Sequence, residues 1–201
     1  MAGLVVLIMG TVSAPAAIST PAAEITDGTT WPTAEQYTVG WKFTLNEPIT
    51  VTHLGVFDAD GGGLAQNHLV RLYNATSDTI LATATIPQAT PGELTGAYNS
   101  HFVAVTPIDL TTGVQYIIAK QNGWDNFRYD VPLPFPPEIN WIEGPGRAGA
   151  LPANVSGFTI HRTIPYAYFG PNLKFIPEPA TLALLALGAC LPLCRRRSRQ
   201  R

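Results

Sequence analysis

Tyr37-Thr38-Val39-Gly40-Trp41-Lys42-Phe43-Thr44-Leu45 places Tyr37, Val39, Trp41, Phe43 and Leu45 on one side of an extended chain. A period of two sends successive side chains to opposite faces, so the run reads as a half-buried strand. Asn46-Glu47-Pro48 turns the chain, and Ile49 to Phe57 reads as a second strand. Asn67 to Tyr73 and Thr79 to Ile86 follow, separated by the polar turn Asn74-Ala75-Thr76-Ser77-Asp78. His101 to Val105, Val114 to Lys120, Phe158 to Arg162 and Asn172 to Phe175 extend the series. None of the stretches between them sustains a helical period. Short strands joined by turn residues predict an all-β fold, a single jelly-roll-like β-sandwich domain. Composition agrees, since Gly and Pro each supply 18 of the 201 residues, above their ordinary shares of about 7% and 5%.

Charge and cysteine usage narrow the function classes. The formal net charge is -2, yet five of the twelve basic residues stand at the C-terminus: Arg195, Arg196, Arg197, Arg199 and Arg201. The rest of the chain is acidic and has no basic patch, so nucleic acid is not an expected partner. Cys190 and Cys194 are the only cysteines. Residues 24–176 therefore carry no disulfide framework and no thiolate metal site.

Both ends read as addresses. An apolar run from Leu4 to Met9 precedes the small residues Ser13-Ala14-Pro15-Ala16-Ala17, as in the apolar region and cleavage zone of a secretory signal peptide. The basic residue that usually opens such a peptide is missing. At the other end, Pro177-Glu178-Pro179 leads into an apolar run from Ala180 to Cys194, then Arg195-Arg196-Arg197. As a helix the run spans about 22 Å, short of a hydrocarbon core of about 30 Å. The arginines would hold its end on the cytoplasmic side, leaving the body outside.

The Pro-Glu-Pro motif, short apolar helix and arginine cluster, in that order, resemble the PEP-CTERM sorting signal of Gram-negative bacteria. The resemblance covers about the last 26 residues. It implies an exosortase-type membrane enzyme as partner, with Pro177, Glu178 and Pro179 as the processing motif and Arg195, Arg196 and Arg197 as the cytoplasmic anchor. It implies anchoring in the inner membrane, then delivery to the cell surface or an exopolysaccharide matrix, as in biofilm-forming bacteria. The body is similar to the DUF4082 group of domains of unknown function. That similarity rests on Val39 to Leu45, Ile49 to Asp58, His68 to Tyr73 and Phe169 to Phe175. It supports the fold and implies no activity. The expected organisation is a signal-peptide-like segment 1–23, an extracytoplasmic domain 24–176 and a sorting signal 177–201.

Two stretches carry candidate chemistry. In Asp58-Ala59-Asp60-Gly61-Gly62-Gly63, carboxylates two apart with flexible glycines can wrap Ca²⁺. The twelve-residue calcium-loop pattern fails, because Leu69 stands where a Glu is required. A solvated hairpin turn is the stronger reading, with no resident cofactor. Gln121 to Pro152 holds Trp124, Phe127, Tyr129, Phe135 and Trp141, broken by Pro132, Pro134, Pro136, Pro137 and Pro145. It reads as a long irregular loop. Trp124, Tyr129 and Trp141 could stack on sugar rings, with Asp125, Asn126 and Arg128 bonding hydroxyls. The competing account is that these aromatics cap the core. His53, His68, His101 and His161 show no metal-ligand spacing and read as surface or hydrogen-bonded residues.

No catalytic motif is present, neither a Gly-x-Ser-x-Gly elbow nor a dinucleotide-binding glycine pattern. The sequence thus points to a non-enzymatic surface or matrix module, adhesive or structural, meeting exopolysaccharide or another glycan. One alternative is a small carbohydrate-active enzyme with Asp125 and Asp130 as its acid pair, which convergence of Asp125, Asp130, Glu138 and Glu143 in one cleft would favour. The other is a structural matrix protein without a ligand.

Overall fold

The computed structural model describes residues 18–31, 37–121, 125, 127–129, 135–163 and 169–178. Among them the strands are β1 (Thr20–Pro21), β2 (Thr29–Trp31), β3 (Tyr37–Leu45), β4 (Ile49–Asp58), β5 (His68–Asn74), β6 (Thr79–Ile86) and β7 (Gly92–Thr95). They continue with β8 (Tyr98–Leu110), β9 (Tyr116–Gln121), β10 (Phe127–Tyr129), β11 (Ile139–Ala148), β12 (Thr159–Thr163) and β13 (Pro171–Pro177). A single 3₁₀ turn, Val155–Gly157, accompanies them, and the described residues contain no α-helix. The chain is all-β. The expected C-terminal helix lies outside the described residues.

Two antiparallel sheets face each other. One has the order β1-β13-β4-β8-β7 and the other β12-β11-β3-β9-β5-β6, while β10 and β2 form a separate ribbon. Alternation explains the core. Trp41, Phe43 and Leu45 point inward from β3 and join Val51, Leu54, Val56, Leu173 and Phe175 of the opposite sheet in one cluster, all buried. Each such side chain contributes roughly 1.5–3 kcal/mol on burial. The sheets are also joined by a polar contact, the Trp41 indole N–H donating to the Pro171 carbonyl at 2.9 Å. A smaller cluster on the outer face of the second sheet packs Tyr73, Ile117 and Ala119 under Leu151.

Segments that read as loops because of proline prove to be strands. β11 runs through the expected irregular loop 121–152, paired with β3 on one side and β12 on the other. Its Pro145 sits where the register with β12 shifts, a bulge at which the missing N–H is tolerated. Pro107 likewise lies within the register shift between β8 and β4, so β8 continues to Leu110 rather than stopping at Val105. The loop from Asp58 to Asn67 crosses from one sheet to the other, since β4 and β5 belong to different sheets. It is therefore not a hairpin.

Pairing carries the folded body beyond 24–176 at both ends. Thr20 and Pro21 pair with Phe175 and Lys174, and Ala22 and Ala23 are buried. Pro177 lies opposite Ile49, and the Glu178 N–H donates to the Pro48 carbonyl at 3.2 Å. The chain thus enters and leaves at one end of the molecule. Asp58 stands at the far end of β4, about 30 Å away at strand rise.

Candidate functional site

The far end gathers most of the buried ionisable side chains. β4 delivers Asp58 to the glycine loop. Its Oδ1 accepts the N–H groups of Gly61 (2.9 Å) and Asp60 (3.3 Å), and its Oδ2 accepts that of Gly63 (2.9 Å). Gly61 and Gly63 adopt φ of 76° and 89°, the left-handed region that glycine enters without strain. Burial alone would raise the Asp58 pKa, but these donors, with Asp60 and His101, outweigh it and hold the carboxyl below its ordinary value. The side chain is only 4% exposed, so the solvated-turn reading holds for the exposed Asp60 to Gly63 and is corrected at Asp58. Asp58 is an internal acceptor that shapes the loop.

His101 reaches this carboxylate from β8, its Nε2 at 3.5 Å from Asp58 Oδ2. Its Nδ1 lies 2.7 Å from the Thr90 carbonyl. A carbonyl only accepts, so Nδ1 donates there. His68, at the start of β5, sets Nδ1 at 3.1 Å from the Gln121 carbonyl and Nε2 at 2.5 Å from Asp125 Oδ2. The other Asp125 oxygen accepts the Ala65 N–H at 2.8 Å. For Asp125 too, burial pushes the pKa up, while the bonds from His68 and Ala65 and the charges of His68 and Lys120 bring it below the ordinary value.

Lys120 lies between these groups. Tyr116, Ile118 and Lys120 alternate onto the inward face of β9, which carries the ammonium into the core. It is 0% exposed, and among the described residues its Nζ has no hydrogen-bond partner. Burial lowers its pKa to about 8, against the opposing pull of Asp125 and Asp58. Gly170 makes the room, because a Cβ there would stand 2.5 Å from Lys120 Cε. Arg128 of β10 closes the cluster. Its guanidinium donates to the carbonyls of Gly28 (2.5 Å) and Ala59 (3.3 Å) and stacks 4.1 Å above the Tyr98 ring. Its backbone pairs with Phe169.

Chemically, the cluster joins loops. Both of its carboxylates are engaged by internal donors, and no cysteine stands among them. Asp60 accepts the Gly62 N–H at 2.9 Å. No group of three or more metal-ligating side chains is assembled among the described residues.

The other predicted residues scatter. Trp141 is on β11 opposite Phe43, packed against the core with its indole nitrogen buried, and so is not on an exposed loop. Trp124, Asn126 and Asp130 lie outside the described residues, as do the side chains of Tyr129 and His161. Of the four acids whose convergence would favour a glycosidase, the three described ones stand apart, while the partner of the Asp125–Asp130 pair lies outside the described residues. Glu143 pairs with Lys42 at 3.1 Å in mid-sheet. Glu138 lies beside Asn46 at the terminal end, while Asp125 is at the far end. Asn46 lies seven residues along the chain from Val39, which pairs with Lys120 near the far end, a span of roughly 23 Å, against about 5–9.5 Å for paired glycosidase acids. Pro179 and the arginine cluster lie outside the described residues, and among those described no helix is long and apolar enough to cross a membrane. No protein-family model matches the chain, and none of the curated proteins does.

Proposed function

We propose that this chain is an exported surface or matrix module, sorted through its C-terminal signal by an exosortase-type enzyme, and acting as a non-catalytic structural, adhesive or glycan-binding domain. The observation that carries the reading is the shared exit of both ends. Thr20 pairs with Phe175, and Pro177 pairs with Ile49, so leader and sorting tail attach side by side. A body tethered there presents its opposite end outward, and that end is held by Asp58, His68, Asp125 and Arg128. The aromatic stretch that begins at Gln121 is rooted at that end by Asp125 and Arg128. This placement supports a glycan-facing role for Trp124 and Tyr129. The repeated crossing of the chain between sheets supports the jelly-roll-like reading of the topology.

The test is cell fractionation of Glu178→Ala/Pro179→Ala, which spares the paired Pro177. The variant is expected to remain unprocessed in the inner membrane. Surface delivery equal to the parent removes the sorting reading. For the ligand, binding of the surface-released protein to the host exopolysaccharide is expected to saturate and to be lost with Trp124→Ala. Absence of binding leaves the purely structural role.

A further inference from the structure

The start of the sorting motif belongs to the folded sheet. β13 is an interior strand, with β1 on one side and β4 on the other. Phe175 and Leu173 are buried from it, Ile176 pairs with Thr50, and Pro177 pairs with Ile49. One further hydrogen bond, from the Glu178 N–H to the Pro48 carbonyl, continues the attachment past the strand. A protease takes its substrate as an unpaired, extended chain, and so cuts folded proteins where backbone is free or after local opening. Freeing Phe175 to Glu178 would break ladder bonds to β4 and pull Phe175 from the core.

We propose that the closed end of β13 masks the first half of the Pro-Glu-Pro motif, so that removal of the tail leaves Glu178 on the mature protein. The cut falls at the Glu178–Pro179 bond or beyond it. The sheet acts as a stop that keeps processing from advancing into the domain. This inference rests on the sorting reading for its biological setting, while the masking itself is a property of the fold.

Two measurements separate the idea from that setting. In the first, the full chain in detergent is digested with a broad-specificity protease and the surviving fragment is weighed. The expected fragment retains Glu178. A fragment ending at Phe175 or earlier, from protein whose circular dichroism is still that of the folded sheet, overturns the masking. Ile176→Pro removes one ladder donor and is expected to shift the end upstream. Should that variant fail to fold, Thr50→Cys/Ile176→Cys joins a directly paired position. Its oxidised form is expected to give the parental end, and a different end overturns the proposal. In the second, the C-terminus of the surface-delivered protein is read by mass spectrometry. An end at Glu178 or later agrees, and an end at Pro177 or earlier overturns the stop. A tail left intact in cells, with the protease result as expected, sinks the sorting reading alone.

Discussion

Trp41 and Pro171 lie on opposite sheets, and the indole N–H of one donates to the carbonyl of the other at 2.9 Å inside the core. Trp41 also packs against Phe43 and Phe135, with ring centroids 4.8 and 5.2 Å away. Trp41→Phe keeps an aromatic ring but strands a buried carbonyl and opens a small void. The loss is expected to be about 2–4 kcal/mol, read as a lower urea midpoint with unchanged slope. A loss below 0.5 kcal/mol would mean that the inter-sheet bond contributes nothing net.

Lys120 gives a pH signature. Its pKa is about 8 in the folded protein, against an ordinary 10.5. Above pH 10.5 the amine is neutral in both states. Between 10.5 and 8 the unfolded chain takes up a proton that the folded one refuses, so stability falls as pH falls. Below 8 the penalty is constant, roughly 3 kcal/mol. Lys120→Met is therefore expected to be more stable than the parent at pH 7, with the gap closing between pH 8 and 10.5. Tyr73, whose burial raises its pKa, titrates alike in both proteins and drops out of the difference. A gap independent of pH would show that the amine stays charged in the fold.

The strands were the legible part of the sequence, and β3 and β6 match their expected limits. Alternation is a local signal, and these strands contain no proline. β11 was hidden because Glu143-Gly144-Pro145-Gly146 has turn composition, and only pairing with β3 and β12 forces it to extend. β1 was hidden because two residues show no period. The buried cluster was visible in one respect. Lys120 shares the inward side of β9 with Tyr116 and Ile118, so a charge on a core face could be read from the sequence. Its charged neighbours Asp58 and Asp125 come from the end of β4 and from the stretch after β9, and no spacing along the chain announces that meeting.

Gly40 tests how tightly β3 and β9 approach. A Cβ there would stand 2.4 Å from the Ile118 carbonyl oxygen and 2.9 Å from Ala119 Cβ. The nearest atom is backbone in the middle of a six-stranded sheet, so relief requires moving a strand. Gly40→Ala is expected to cost about 3 kcal/mol or more. Adding Ala119→Gly should recover little, because the carbonyl remains. Thermal unfolding of the single and double variants decides it, and near-complete recovery would place the conflict at the Ala119 methyl instead.

Asp58 and Asp125 predict where acid acts. Both have folded pKa values below the ordinary 3.8. The stability they contribute is complete above that value and is lost as pH falls through it toward their folded values, because the unfolded chain binds protons first. Asp58→Asn separates charge from shape. The amide keeps one acceptor for Gly61, but turns an NH₂ toward the Gly63 N–H, or the reverse if it flips. One donor is left facing another. The variant is expected to lose about 1–3 kcal/mol at pH 7 and to show a shallower decline below pH 4. Urea midpoints at pH 7, 5 and 3 for both proteins supply the comparison. Parallel curves would mean that Asp58 is as easily protonated in the fold as out of it, and that the glycine loop is held by its backbone alone.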